Sequence, residues 1–356
     1  MRWCTGLFAV VQTLIECRRT VAQGVNQIPL YPLRFEPIYQ YRLWGGRRLA
    51  DLLSAPLPDG PVGEAWLLSD REDHSSVIAN GRLKGVTLGQ ILRERPKAVL
   101  GQSAGEVARF PVLLKFLDVQ DALSVQVHPS DAKTSYLPEG ESGKTEAWVV
   151  LAAGPEGRIY AGLAPNTKIA TIRQSLAAGT LVDLLASFSP KSGDAIPIPA
   201  GTVHALRDLV VFEVQENSDV TFRLYDWNHV DPKTHQPREL QVEPALACID
   251  WTQGAIVPVI PVVQEREPTL REELCDCEHF GLSRVSSEAP FAVGAADTPR
   301  VLVCIEGQGQ VTHDGVEHFF ANGDVMFLPA VVGECMCQPR DSISLLEVSL
   351  PPASAG

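Results

Sequence analysis

The chain has 356 residues and is 45% hydrophobic, enough apolar material to fill two modest domains or one large β architecture. A formal net charge of −13 argues against nucleic acid and anionic membranes as partners, so an anionic ligand must be met by a local gathering of cations. With 28 glycines and 27 prolines, the composition favours many short strands joined by tight turns over a helical bundle.

Residues 1–27 stand apart from the rest. The run GLFAVVQTLI (6–15) behind Arg2 invites a signal-peptide reading, but Gln12 interrupts it, and Glu16, Cys17, Arg18 and Arg19 occupy the place of small cleavage-site residues. No stretch reaches the roughly twenty apolar residues of a membrane span. The reading is a poorly ordered extension on a cytoplasmic protein, with export as the minor alternative and the fold starting near Ile28.

PLRFEPIYQYRLWGG (32–46) reads as an opening strand and a tight bend. TLGQILRERPKAVL (87–100) has the apolar spacing of a short helix behind a Thr87 cap, interrupted at Pro96. FPVLLKFLDV (110–119) is a nearly continuous apolar strand holding one charge, Lys115, where an unpaired ammonium would be costly. LSVQV (123–127) is stopped at once by His128 and Pro129. Strand alternation puts Gln126 and His128 on one face and Val125 and Val127 on the other. For that short stretch taken alone, a half-exposed strand with an ordinary surface histidine is the favoured reading, and the rest of the chain shifts it.

A polar loop then leads into the strand TEAWVVLAA (145–153). PNTKIATIRQSLAAGTLVDLLASF (165–188) is the best helical segment, expected as two helices broken near Gly179. AIPIPAGTVHAL, LVVFEVQENS and VTFRLYDWN follow, all strand-like.

A faint repeat runs through this pattern. SGDAIPIPAGTVHAL (192–206) shares a G-D-x(4)-P-A frame with NGDVMFLPAVVGECM (322–336), and TEAWVVLAAGPEGRIYAG and PRVLVCIEGQGQVTHDG each read as a strand, a glycine turn and a returning strand. The expected fold is mainly β: two related jelly-roll β-sandwich units with a small helical insertion. Unit boundaries are 28–255, with the helical segment 165–188, and 256–356. In the second unit Glu334 and Cys335 fall near the place of His204, so that copy has lost its chemistry.

Eight cysteines give no defensible disulfide framework in a chain of this size. The pairs Cys275/Cys277 and Cys335/Cys337 could make a four-thiolate zinc site, but C-x-C puts both sulfurs on one strand face, as small buried thiols do routinely.

Gly193, Asp194, Pro199, Gly201 and His204 form a pattern that resembles the second metal-binding motif of cupins. Here the glycine allows a sharp bend and the following strand starts on a histidine. A buried, satisfied histidine is the bland alternative. Four candidate ligands line up: Gln126, His128, Glu146 and His204. Two imidazoles and a carboxylate from separate strands suit a catalytic Zn²⁺ with an open position, one ion per chain, whereas four thiolates would over-neutralise it. The same set also describes a non-haem iron site. For an anionic handle the candidates are Arg223, on one face with Thr221, and Lys115 and Lys144; each could instead pair with a local carboxylate. Trp44, Trp66 and Trp148 are core-filling types, although Trp66 could line the mouth of a site. The remaining histidines, 74, 229, 235, 279, 313 and 318, read as surface residues.

In order along the chain, RLWGG, GEAWLLSD, LLKFLDVQDALSVQVHPSD, GKTEAWVVL, PAGTVHAL and FEVQENSDVTFRLYDWN resemble the signature blocks of the type I mannose-6-phosphate isomerases, in their short bacterial form. The resemblance spans roughly 30–350. It implies a cupin scaffold, zinc held by Gln126, His128, Glu146 and His204, a catalytic arginine at Arg223, and interconversion of mannose 6-phosphate and fructose 6-phosphate. An aldose–ketose isomerase needs an electrophile and a proton carrier. If Glu146 binds the ion it is poorly free to act as the base, and the sequence leaves that carrier open. Rival readings are a cupin oxygenase and a phosphosugar-binding cupin without turnover. Oligomeric state is not legible.

Overall fold

A computed structural model describes residues 27–105 and 109–351. The extension expected over 1–27 thus lies, Gln27 aside, outside the described residues, as do Cys4 and Cys17.

The first sheet is built from β1 (Ile38–Gln40), β2 (Glu64–Leu68), β5 (Val112–Val119), β6 (Val125–Val127), β7 (Glu146–Leu163), β8 (Leu185–Phe188), β9 (Ala195–Ile198), β10 (His204–Glu216) and β11 (Phe222–Tyr225). A two-residue ribbon, β3 (Asp70–Arg71) with β4 (His74–Ser75), stands beside it. The order is β1-β2-β5-β10-β6-β11, and β7 pairs with β8, β9 and β10. Every residue of β5 is buried, which is why its sequence is apolar on both faces rather than alternating.

The second sheet comprises β12 (Val262–Glu265), β13 (Thr269–Asp276), β14 (Gly281–Ser287), β15 (Phe291–Val293), β16 (Arg300–His313), β17 (Val316–Ala321), β18 (Val325–Leu328) and β19 (Cys335–Ser349). Here β16 pairs with β17, β18 and β19, just as β7 pairs with β8, β9 and β10. The sequence repeat is therefore a repeat of strand pairing, and the architecture is the mainly β, two-unit one expected.

Two local expectations are corrected. Residues 146–163 form one long strand, not a hairpin. Both halves run along β10, with Ala153 opposite Leu209 and Arg158 opposite Arg207, and the glycine segment between them bulges out opposite Asp208. Asp208 itself takes φ +48°. β16 likewise runs straight along β19, and the return is made by β17 after an Asp314-Gly315 turn with φ +48° and +75°. The second correction concerns 165–188. A helix α3 spans Ile169–Ala178 and stops at Gly179, φ +70°, but a 3-10 turn and strand β8 replace the second helix. Leu185 pairs with Leu163 there, so sheet pairing overrides helical propensity. Upstream, α1 (Leu88–Glu94) is capped by Thr87, whose Oγ1 accepts from Gln90 N at 3.2 Å, and Pro96 opens α2 (Pro96–Leu100). A last helix, α4, spans Val242–Cys248. Among the described residues no helix is long and apolar enough to cross a membrane.

One large apolar cluster is shared by both sheets, with Phe110 edge-on to Phe327 at 5.3 Å between ring centres. Cys335 and Cys337 are buried in a second cluster on either side of exposed Met336, and among the described residues the four C-x-C thiols make no metal-holding group. Of the six histidines read as surface residues, His74 and His235 are exposed, but His229, His279, His313 and His318 are half-buried. The first three of these lie beside carboxylates, and His318 stacks on Tyr31.

Candidate active site

Residues directly opposite one another in an antiparallel sheet project to the same face. His204, first in β10, is paired with Gln126 of β6, which on its other side is paired with Arg223 of β11. These three form one transverse row. A second row crosses four strands: Trp66, Lys115, Glu213 and Trp148. Glu146, first in β7 and two residues before Trp148, shares that face. Gly201 supplies the bend ahead of His204 at φ +87°, where a Cβ would come within 2.8 Å of Asp250 Cβ.

Three ligand-type groups converge in the buried interior. His204 Nε2 lies 3.3 Å from Glu146 Oε1, and His128 Nε2 lies 3.4 Å from Glu146 Oε2. The Nδ1 atoms face carbonyls, Val220 O for His128 and Thr202 O for His204, both at 2.9 Å. A carbonyl only accepts, so each Nδ1 carries the proton and each Nε2 turns its lone pair toward Glu146. Gln126 Nε2 donates to His204 Nε2 at 3.1 Å. Lys144 Nζ lies 2.7 Å from Glu146 Oε2 and 3.1 Å from His128 Nε2.

Burial, then the Lys144 ammonium, presses His128 down to about 3, and burial also lowers His204. Burial alone would raise Glu146, but the Lys144 ammonium beside it holds it well below the usual carboxylate range. The group therefore stands as two neutral imidazoles and a carboxylate, the state a divalent cation requires. Apart from the Lys144 ion pair, the buried Glu146 oxygens have no hydrogen-bond partner among the described residues, and the three ligand atoms lie within 4.8 Å of one another. The donor set fits a metal ion.

Above these groups opens a cavity of about 400 Å³, lined by Gln126, Lys144, Trp148, Lys115, Glu213 and Arg223 among others. Its cations are unequally engaged. Arg42 grips Glu64 with two contacts, at 2.9 and 3.1 Å, Arg238 holds Asp226, and Lys115 lies 3.1 Å from Glu213 and 3.9 Å from Glu64. Arg223 has no carboxylate partner among the described residues: Nη1 donates to Glu239 O at 3.1 Å, and buried Nε has no acceptor. Trp66 does not line the cavity. It is buried behind Lys115, whose Nζ is 5.5 Å from the ring centre, and donates from Nε1 to Glu64 Oε2 at 2.7 Å. Its role is to orient Glu64.

The wall carboxylates behave oppositely. Burial opposes ionisation of Glu64, yet Lys115 and Arg42 hold it to about 2, whereas burial raises Glu213, where the pull of Lys115 and Lys144 is offset by repulsion from Glu146 and Glu64. A depressed carboxylate contributes stability that is present above its ordinary value of 4.5 and lost as the pH falls toward 2. Urea midpoints measured from pH 5 down to pH 2 should therefore fall less steeply for Glu64→Gln than for the parent. Parallel curves would remove Glu64 from this account.

Sequence reading missed Glu213, Glu64 and Arg42. A signal for Glu213 was present: it is a lone acid within LVVFEV, and Lys115 is a lone base within VLLKFL, two apolar strands that turn out to be neighbours.

Fold and site together define a cupin-type β protein with a metal-competent His–Glu–His group beneath an open, cation-rich cavity. Residues 33–145 match the phosphomannose isomerase type I catalytic domain. The chain is 34% identical to the mannose-6-phosphate isomerase ManA of Bacillus subtilis (strain 168) over 309 residues, 85% of this chain and 94% of that one. It is 31% identical to the mannose-6-phosphate isomerase of Streptococcus mutans over 303 residues, covering 85% and 93%. A crystal structure of the mannose 6-phosphate isomerase from Bacillus subtilis superposes with a TM-score of 0.82 at 27% identity, over 90% of this chain and 99% of that one. The chain belongs to the type I phosphomannose isomerase family.

Proposed function

We propose that this protein is a zinc-dependent aldose–ketose isomerase interconverting mannose 6-phosphate and fructose 6-phosphate, with one ion per chain. The observation that carries the reading is the meeting of His128, Glu146 and His204 beneath a cavity whose unpaired guanidinium is Arg223. Family membership supports the substrate.

His128, Glu146 and His204, with Gln126 as a fourth donor, would hold the ion. Bound there, a divalent cation with one carboxylate and neutral donors keeps a net charge of about +1 and stabilises negative charge developing on a sugar oxygen. The remaining work falls to side chains. Glu146 is engaged, so Glu213 is the carboxyl assigned to the proton: raised by burial, it lines the cavity and can take a proton from C2 of the aldose and return it to C1. As the C2–H bond breaks, its electrons form a C1–C2 double bond and the C1 oxygen takes a proton from solvent water; as Glu213 then protonates C1, the C2 hydroxyl gives its proton back to water and the C2 carbonyl forms. Lys115 steadies Glu213 throughout. Arg223 meets negative charge on the substrate, and Lys144 offers donors to its hydroxyls.

Treatment with a chelator should abolish turnover of mannose 6-phosphate in a coupled assay, and Zn²⁺ should restore it. Iron in the purified protein together with oxygen uptake would point to an oxygenase instead. Sugar-phosphate binding without isomerisation would reduce the protein to a binding module.

A further inference from the structure

The residue between Lys144 and Glu146 is fastened from several directions. Thr145 N donates to Glu216 Oε1 at 2.6 Å, Glu216 N donates back to Thr145 O at 3.0 Å, and Ala200 N donates to Thr145 Oγ1 at 3.4 Å. Glu216, last in β10, is buried, and its other carboxylate oxygen faces His279 Nδ1 at 3.4 Å. His279 stands between β13 and β14, in the second sheet. Asp131 completes the group: its Oδ1 accepts from Gly143 N at 2.7 Å, while Lys144 N donates to Pro129 O at 3.0 Å, closing the polar loop on itself.

We propose that Glu216 is a positioning residue for Glu146 and that His279 holds Glu216 in place. The second unit, which among the described residues holds no ligand set of its own, would thereby tune the site in the first. This inference rests on the reading of Glu146 as a metal ligand. Apart from the Lys144 ion pair, the two oxygens of that carboxylate have no hydrogen-bond partner among the described residues, so the backbone that precedes Glu146 shares in setting its aim. A charge-assisted bond of 2.6 Å onto the Thr145 N–H fixes that backbone directly. Partners that orient a ligand commonly carry about 10–100-fold in metal affinity when removed.

The test is a titration of metal-stripped protein with Zn²⁺ against a chromophoric chelator, with the urea midpoint followed as a control. Glu216→Ala should weaken Zn²⁺ binding by about 10-fold or more. His279→Ala should weaken it by a smaller factor, and His279→Asn, whose amide can stand where Nδ1 stood, should recover most of the loss. Unchanged affinity in both alanine variants, or no recovery in His279→Asn, overturns the proposal. If Glu216→Ala fails to fold, the two His279 variants decide. A parent protein that binds no Zn²⁺ would overturn both this inference and the function proposed above, whereas a binding parent with unaffected variants would overturn this inference alone.

Discussion

His204→Ala is expected to eliminate measurable isomerase turnover while leaving a folded protein. The imidazole is fully buried, 3.3 Å from Glu146 and edge-on to Trp148 at 5.5 Å between ring centres. Its removal deletes one of the two imidazole donors beside a buried carboxylate, so bound metal should fall to trace levels. Electrophilic stabilisation of this kind amounts to several kcal/mol, a rate loss on the order of a thousandfold or more. The large apolar cluster shared by the two sheets does not include His204, so the far-ultraviolet dichroism of the variant should match the parent. Steady-state kinetics alongside elemental analysis checks the claim, and a fully active His204→Ala protein would end the proposed function.

Arg223→Ala should lower kcat by about a hundredfold or more, the usual cost of removing a group that stabilises charge in the transition state. The argument comes from its neighbours. Arg42, Arg238 and Lys115 are already neutralised by Glu64, Asp226 and Glu213, whereas Arg223 makes one carbonyl contact and leaves Nε unused. A cation partly withdrawn from water with so little to hold it is placed for a ligand. Arg223→Lys should recover only part of the loss, because an ammonium cannot hold an anion with two parallel donors. A change confined to KM would recast Arg223 as a phosphate anchor, and unchanged kinetics would remove it from the site.

Much of the candidate site was legible in the residues because its donors sit in or beside the ends of short strands and obey local rules. Alternation put Gln126 and His128 on one face, and a glycine bend announced His204. The carboxylates of the cavity wall were not read, since Glu213 acquires its meaning from its register with Lys115, and register is a long-range property. Trp66 was misjudged for a related reason: it belongs to the same row as Lys115 but stands behind it, and alternation gives the face without the depth. For the fold, the repeat pointed to two similar units, but glycines at 154 and 157 read as a reversal of direction when the chain uses them to bulge and carry on.

The kink at Asp208 has a further consequence for β10. His204 and Glu213 are nine positions apart, an odd number, so on an unbroken strand they would sit on opposite sides of the sheet. Leu206 and Leu209, three apart, nevertheless enter the same apolar cluster, which dates the change of phase to the residue between Arg207 and Leu209. One irregular residue thus lets a single strand turn both His204 and Glu213 to the same side of the sheet, the two residues to which a metal-holding and a proton-carrying role are proposed. Excising Asp208 should therefore uncouple the two halves of the chemistry even though neither is touched.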